Sequence, residues 1–143
     1  MKTSTVADIC KEVRLSMTRF RCSPQRWDQL YRKLKSEEQE KVAEALLACL
    51  EEVSEDMPGR QTYLHGLLRA LRPRPRLPLA ALLERHLPSW NKEAADFPSY
   101  LADVYGAEQL HEVLDVLDRK LDSKEALEKT SRMRCATGLQ VLP

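Results

Sequence analysis

The chain has 143 residues, is 43% hydrophobic and 31% charged, and carries a net charge of +1, the balance of an ordinary globular chain long enough to bury a core. Its four glycines argue against a strand-rich fold with many tight turns, and no apolar run approaches the roughly 18–20 residues that span a bilayer. The opening Met1-Lys2-Thr3-Ser4-Thr5 leads into charged helical sequence without the apolar stretch of a signal peptide, so an intracellular protein, cytoplasmic or nuclear and away from membranes, is expected.

Val6, Ile9, Cys10, Val13, Met17 and Phe20 recur at three- and four-residue steps and predict a first helix over about Thr5 to Phe20. Ser23-Pro24 reads as an N-cap followed by proline at the first helical position, opening a short second helix with Trp27, Leu30, Tyr31 and Leu34 inward. Ser36-Glu37-Glu38-Gln39 fits a capping box, in which the serine caps backbone amides and the glutamine reaches back. It predicts a third helix with Val42, Ala43, Leu46, Leu47, Leu50 and Val53 inward, closed by Met57-Pro58-Gly59. Tyr63, Leu64, Leu67, Leu68 and Leu71 outline a fourth.

Arg72-Pro73-Arg74-Pro75-Arg76-Leu77-Pro78 is barred from helix, because alternating prolines remove donors and push their neighbours to extended geometry. It reads as a stiff, exposed, basic connector. Leu79, Leu82, Leu83 and Leu87 then give a short helix, and Pro88-Ser89-Trp90-Asn91 a turn. Phe97 to Tyr105 is a further helix closed by Gly106. Ala107 to Leu121 is the most cleanly amphipathic stretch, with Leu110, Val113, Leu114, Leu117 and Leu121 on one face. A last turn or two of helix is expected from Ser123 to about Ser131. The expectation is an all-α fold, a compact bundle of six to eight short helices, as one domain over 1–131 with a flexible tail over 132–143.

The near-neutral total hides a segmentation. Residues 1–35 carry nine basic and three acidic side chains, 36–58 one and eight, 59–90 six and one, 91–128 four and ten, and 129–143 three and none. Blocks of alternating sign either neutralise one another within the fold or form separate faces suited to association. Arg69, Arg72, Arg74 and Arg76 are the basic partner-binding candidates, and Glu37, Glu38, Glu40 and Glu44 the acidic ones. Trp90, between Pro88 and Pro98, is a core plug if buried and a binding spot if exposed.

Nothing in the pattern asks for catalysis, a metal or a cofactor. His65, His86 and His111 lack the spacing of a helical metal site, and Gly59, Gly66, Gly106 and Gly138 stand apart rather than forming a phosphate loop. Cys10, Cys22, Cys49 and Cys135 are scattered without a Cys-x-x-Cys pair, so Cys10 and Cys49 read as core residues rather than disulfide partners. A non-catalytic protein–protein interaction or adaptor module is the leading function, through a protein partner or self-association by complementary charged faces. The alternatives are a nucleic-acid-binding helical domain using 1–35 and 59–76, or a helical scaffold domain of a larger protein.

Leu101-Ala102-Asp103-Val104-Tyr105-Gly106-Ala107-Glu108 resembles the stretch that closes the fourth helix of pyrin domains, six-helix members of the death fold with a Leu-x-x-x-Tyr-Gly-x-Glu pattern there. Val113, Leu117, Leu127, Glu128 and Lys129 then fall where that family places its fifth and sixth helices. Upstream, Leu30, Leu34, Glu37, Glu38, Lys41, Val42 and Leu46 look like its first-to-second helix junction, and Leu77-Pro78-Leu79 echoes its third-helix region. The helix Thr5 to Phe20 is extra, Ser54 to Arg76 is an insertion, and the second-helix face is acidic where the family's is often basic. The resemblance implies a death-fold-like bundle and homotypic assembly in innate-immune or cell-death signalling.

Overall fold

A computed structural model describes residues 4–19, 21–54 and 56–137. The fold is all-α, with no strand among the described residues. Its helices in chain order are α1 (Val6–Thr18), α2 (Pro24–Lys35), α3 (Gln39–Glu51), α4 (Pro58–Leu71), α5 (Leu79–His86), a single 3-10 turn (Leu87–Ser89), α6 (Asp96–Tyr105), α7 (Ala107–Lys120) and α8 (Lys124–Ala136). Phe20, expected to close the first helix, and the end of the tail from Gly138 lie outside the described residues.

The helix boundaries follow local chemistry, not always the chemistry the sequence suggested. The capping box sits at α1: Thr5 Oγ1 accepts from the Asp8 amide at 3.1 Å, and the Thr5 amide donates to Asp8 Oδ2 at 3.0 Å. The box expected at Ser36 does not form. Ser36 has helical dihedrals (φ −88°, ψ −7°) and closes α2, whereas an N-cap needs extended ones. Its hydroxyl donates to the Lys33 carbonyl at 2.8 Å. The Gln39 amide turns back to the carbonyls of Leu34 (3.1 Å) and Glu37 (2.8 Å), and Glu38 is the N-cap of α3. Met57-Pro58-Gly59, read as the close of the third helix, instead opens α4, with Pro58 in its first turn. Gly106 (φ 94°) serves two helices, ending α6 and starting α7; a side chain would be strained at that φ.

One continuous apolar core runs from Ile9 to Met133. α1 lies along α3, α2 packs across α1 and α4, and α4 carries α6, which in turn carries α7 and α8. Leu110, Leu114 and Leu117 are buried on α7 as the pattern required, at 0%, 0% and 4% exposure. Within α4, Gly66 lies under the Trp27 ring, and a Cβ there would sit 3.6 Å from Trp27 Nε1, ordinary contact. Gly66→Ala is therefore expected to raise stability by about 0.5–1 kcal/mol through helix propensity, read as a higher urea midpoint; a lower midpoint would mean that the indole cannot accommodate the methyl.

Two expectations are revised. The last helix does not stop near Ser131: α8 continues to Ala136 with Met133 fully buried, so the stretch assigned to a flexible tail from 132 begins inside a helix. Its inward face carries Lys129 and Thr130 beside Met133, an apolar stripe too thin for periodicity to detect. The connector is also less exposed than its composition suggested. Its arginines face solvent, but Pro73 and Pro75 are buried. The hydroxyls of Tyr100 and Tyr105 bind the carbonyls of Pro73 and Leu77, each at 2.6 Å, fastening it to α6.

Candidate interaction surfaces

The four arginines singled out in the sequence do not project freely. Arg69 reaches Asp96 at 2.7 Å and Arg72 reaches Asp103 at 3.7 Å. Arg74 donates to the Val104 carbonyl at 3.3 Å and lies over the Tyr105 ring. Arg76 places two guanidinium nitrogens on one carboxylate oxygen of Glu40, at 2.7 and 3.0 Å. A basic candidate thus neutralises an acidic one within the monomer. Arg69, Arg72 and Arg76 stay exposed, at 54%, 67% and 84% of the side chain, while pairing with carboxylates of α6 and α3. Such exposed pairs are screened by solvent and contribute little to stability, so they orient the surface more than they hold the fold.

Among the acidic candidates, Glu37 accepts from the Ser4 hydroxyl at 3.0 Å and Glu38 pairs with Lys41 at 3.2 Å. Glu44 makes no ion pair with the described residues. Trp90 is removed from the surface candidates. It is 2% exposed and its indole N–H donates to the Ala94 carbonyl at 3.0 Å, so it is the core plug.

Glu38, Glu40, Glu44 and Arg76 are brought together in one place, a groove of ≈ 610 Å³ between α3 and the wall formed by the connector and α5. Its apolar surface comes from Val6, Leu47, Ala48, Pro75 and Leu77. Two exposed ion pairs cross it, Arg76–Glu40 at 2.7 Å and Arg85–Glu51 at 3.3 Å.

A different pair of surfaces carries unmatched charge. Between α1 and α2 lies a shallow depression of ≈ 310 Å³ that includes Leu15, Arg26, Gln29 and Lys33. Leu15 is 40% exposed, and nearby on the same two helices Lys11, Arg32 and Lys35 make no ion pair with the described residues. Trp27 and Tyr31 stack on α2 with centroids 5.5 Å apart, and Lys35 Nζ lies over the Tyr31 ring. On the outer face of α7, Glu108 and Glu112 are exposed and likewise unpaired; Asp115, paired with Arg134 at 3.0 Å, and Val116 at 48% exposure follow, and the helix ends on Arg119 and Lys120, exposed and without an ion pair among the described residues. α1 and α2 pack mainly on each other and on α3 and α4, whereas α7 packs mainly on α5, α6 and α8. The basic and acidic faces therefore belong to different ends of the helix assembly.

In the interior, His65 and His86 converge on Phe97, with centroid distances of 4.9 and 6.3 Å. Their separation in sequence gave no sign of this. Burial pushes His65 down to about 4, and the neighbouring His86 adds to that while Asp96 opposes it. Burial lowers His86 as well, against the pull of Glu51. Cys10 and Cys49 are both buried where α1 meets α3: the Cys10 thiol points at the Ala45 carbonyl at 3.6 Å, and the Cys49 thiol at the Cys10 carbonyl at 4.0 Å. Burial, with Cys10 alongside, pushes Cys49 up to about 12, which suppresses the thiolate. No group of three His, Cys, Asp or Glu among the described residues could hold a metal ion, and no helix there is long and apolar enough to cross a membrane. The chain matches no protein-family model, no curated protein and no solved structure.

Proposed function

We propose that this chain is a non-catalytic protein-interaction module, and that the contact it makes is with a second copy of itself, the basic α1–α2 face of one copy meeting the acidic α7 face of the next. The observation that carries this reading is an excess of unpaired cations on α1–α2 (Lys11, Arg32 and Lys35 against Asp28) set against the unpaired Glu108 and Glu112 in the first half of α7, which ends on Arg119 and Lys120, with an exposed apolar residue on each side, Leu15 on one and Val116 on the other. A contact of this kind is heterologous, head to tail, and need not close. It accords with the homotypic assembly that the death-fold resemblance implies.

Charged faces act over about a Debye length, roughly 8 Å at physiological salt, so association should weaken as salt rises. The decisive test mixes two variants. Lys11→Glu with Arg32→Glu makes the basic face acidic, and Glu108→Lys with Glu112→Lys makes the acidic face basic. Sedimentation velocity is expected to show that neither variant self-associates but that the mixture forms a dimer, because each partner retains one native face. No dimer in the mixture, or wild-type association indifferent to salt and to both variants, would overturn the reading.

A second reading has one observation behind it: on α2 the Trp27–Tyr31 stack lies among Arg26, Arg32, Lys33 and Lys35, the pairing of aromatic and cationic groups that single-stranded nucleic acid uses. Salt-dependent retention on single-stranded RNA, lost in the Lys11→Glu, Arg32→Glu variant, with no dimer on mixing, would assign the face to nucleic acid.

A further inference from the structure

The groove between α3 and the connector plays no part in that self-association, and its chemistry points to a different occupant. One wall is the stripe Glu40, Glu44 and Glu51 of α3, at helical spacings that turn all three carboxylates to the same side, and Glu38 stands at its head. The opposite wall offers Arg76 and Arg85, each already bound to a glutamate across the gap. Glu44, between those two bridges, is exposed and makes no ion pair with the described residues. The acidic wall is therefore left with one carboxylate more than the opposite wall can answer.

A second, independent feature lies deeper. His86 lines the groove at 4% exposure, and its ring makes no hydrogen bond with the described residues. Its ring nitrogens are not sealed from water, since the buried side-chain atom without a partner among the described residues is His65 Nδ1, so the imidazole can bond a group that enters the groove. Around it, Leu47, Ala48 and Leu77 provide an apolar surface. A groove of ≈ 610 Å³ is within the roughly 300–1,000 Å³ range of ligand clefts, and it is open at the mouth, where the two ion pairs are solvent-exposed and cheap to rearrange.

We infer that this groove binds a cationic amphipathic peptide segment of another protein, with a lysine or arginine on Glu44, an apolar side chain against Leu47 and Ala48, and a polar peptide group on the His86 ring. The two Glu–Arg bridges act as exchangeable latches: an incoming cation can take Glu40 or Glu51 from its arginine while the released arginine returns to water. An anionic peptide would have to face the α3 carboxylates and is disfavoured.

The test uses the full chain and two fluorescein-labelled peptides, one alternating lysine with leucine and one alternating glutamate with leucine. Anisotropy is expected to show saturable binding of the lysine peptide and none of the glutamate peptide. Glu44→Lys is expected to weaken the lysine peptide by about tenfold or more. Glu112→Lys, the same charge change on the distant α7 face, should leave it within about twofold, since rim charges away from a contact act only through the general field. Amide shifts on binding should fall on α3, on residues 75–77 and on Arg85 and His86. Circular dichroism checks that both variants fold, and Glu44→Gln, which only removes the charge, covers the case in which lysine at that position perturbs α3. Equal weakening by Glu44→Lys and Glu112→Lys, amide shifts centred on α7, binding of both peptides alike, or binding of neither would each overturn the assignment.

Discussion

Leu114→Ala is expected to lower the stability of the fold by about 4–5 kcal/mol, and Leu117→Ala by about 2–3 kcal/mol, within the range for leucine truncations in cores. Both side chains point inward from α7, Leu114 at 0% exposure and Leu117 at 4%, but their surroundings differ. Leu117 borders a cleft of ≈ 460 Å³ whose apolar lining includes Leu83, Leu87 and Leu121. Removing its methyl groups enlarges a space that water already enters, so the additional cavity penalty is small. Leu114 has no such outlet, and truncation there leaves a closed void. Val116→Ala on the outer face of the same helix, 48% exposed, should fall within about 0.5 kcal/mol of wild type. Urea midpoints at constant slope measure all three. A Val116 change as damaging as the Leu114 change would mean that α7 is rotated from the orientation described.

The contrast among these three residues marks what was legible in the sequence. α7 could be read because its leucines, Leu110, Leu114 and Leu117, keep one face, and the proline run 73–78 could be read because proline acts locally. Helix starts were less secure. Thr5 with Asp8 and Ser36 with Gln39 both have the spacing of a capping box, and only the backbone dihedrals at the serine, set by how α2 ends, decide that the first forms and the second does not. α8 was undercounted because a lysine and a threonine occupy part of its inward stripe. Lys129 can do so because its stem packs inward while its ammonium reaches the Pro88 carbonyl at 2.7 Å.

The partner-binding candidates were the least legible of all, for a geometric reason. A block of positive charge followed by a block of negative charge has the same sequence whether the two meet or part. Arg76 and Glu40 are 36 residues apart and meet; Lys11 and Glu112 carry equally ordinary charges and do not. The distinction lies in how the helices stack, which depends on apolar contacts among residues distant in sequence. The buried histidines illustrate the same point. His65 and His86 each sit within an apolar helical pattern, and nothing local marks their meeting across Phe97.

That meeting has a consequence for acid stability. His65 is 2% exposed, lies against Phe97 and has no hydrogen-bond partner for Nδ1 among the described residues. Burial holds its pKa at about 4 against an ordinary 6.5; Asp96 at the start of α6, engaged by Arg69 of α4 at 2.7 Å, opposes this, and His86 from α5 pushes in the same direction as burial. The folded chain therefore binds a proton at this ring less readily than the unfolded chain does. The neutral ring contributes fully above pH 6.5, and its stabilisation is lost as pH falls from 6.5 toward 4 while the unfolded state takes up the proton alone. For a shift from 6.5 to about 4, linkage puts the loss by pH 4 at about 3 kcal/mol. His86, also lowered by burial and facing Glu51 and Arg85, adds in the same direction. Carboxylates contribute to acid unfolding too, so the measurement is a difference: urea midpoints of wild type and His65→Leu at pH 7, 5.5 and 4.5. The leucine variant is expected to lose markedly less stability across that range, and the His65 ring protons in wild type should show no titration shift above pH 5. Parallel losses in the two proteins, or a ring that titrates near 6.5, would show that His65 reaches solvent and that the pocket around Phe97 opens in the native state.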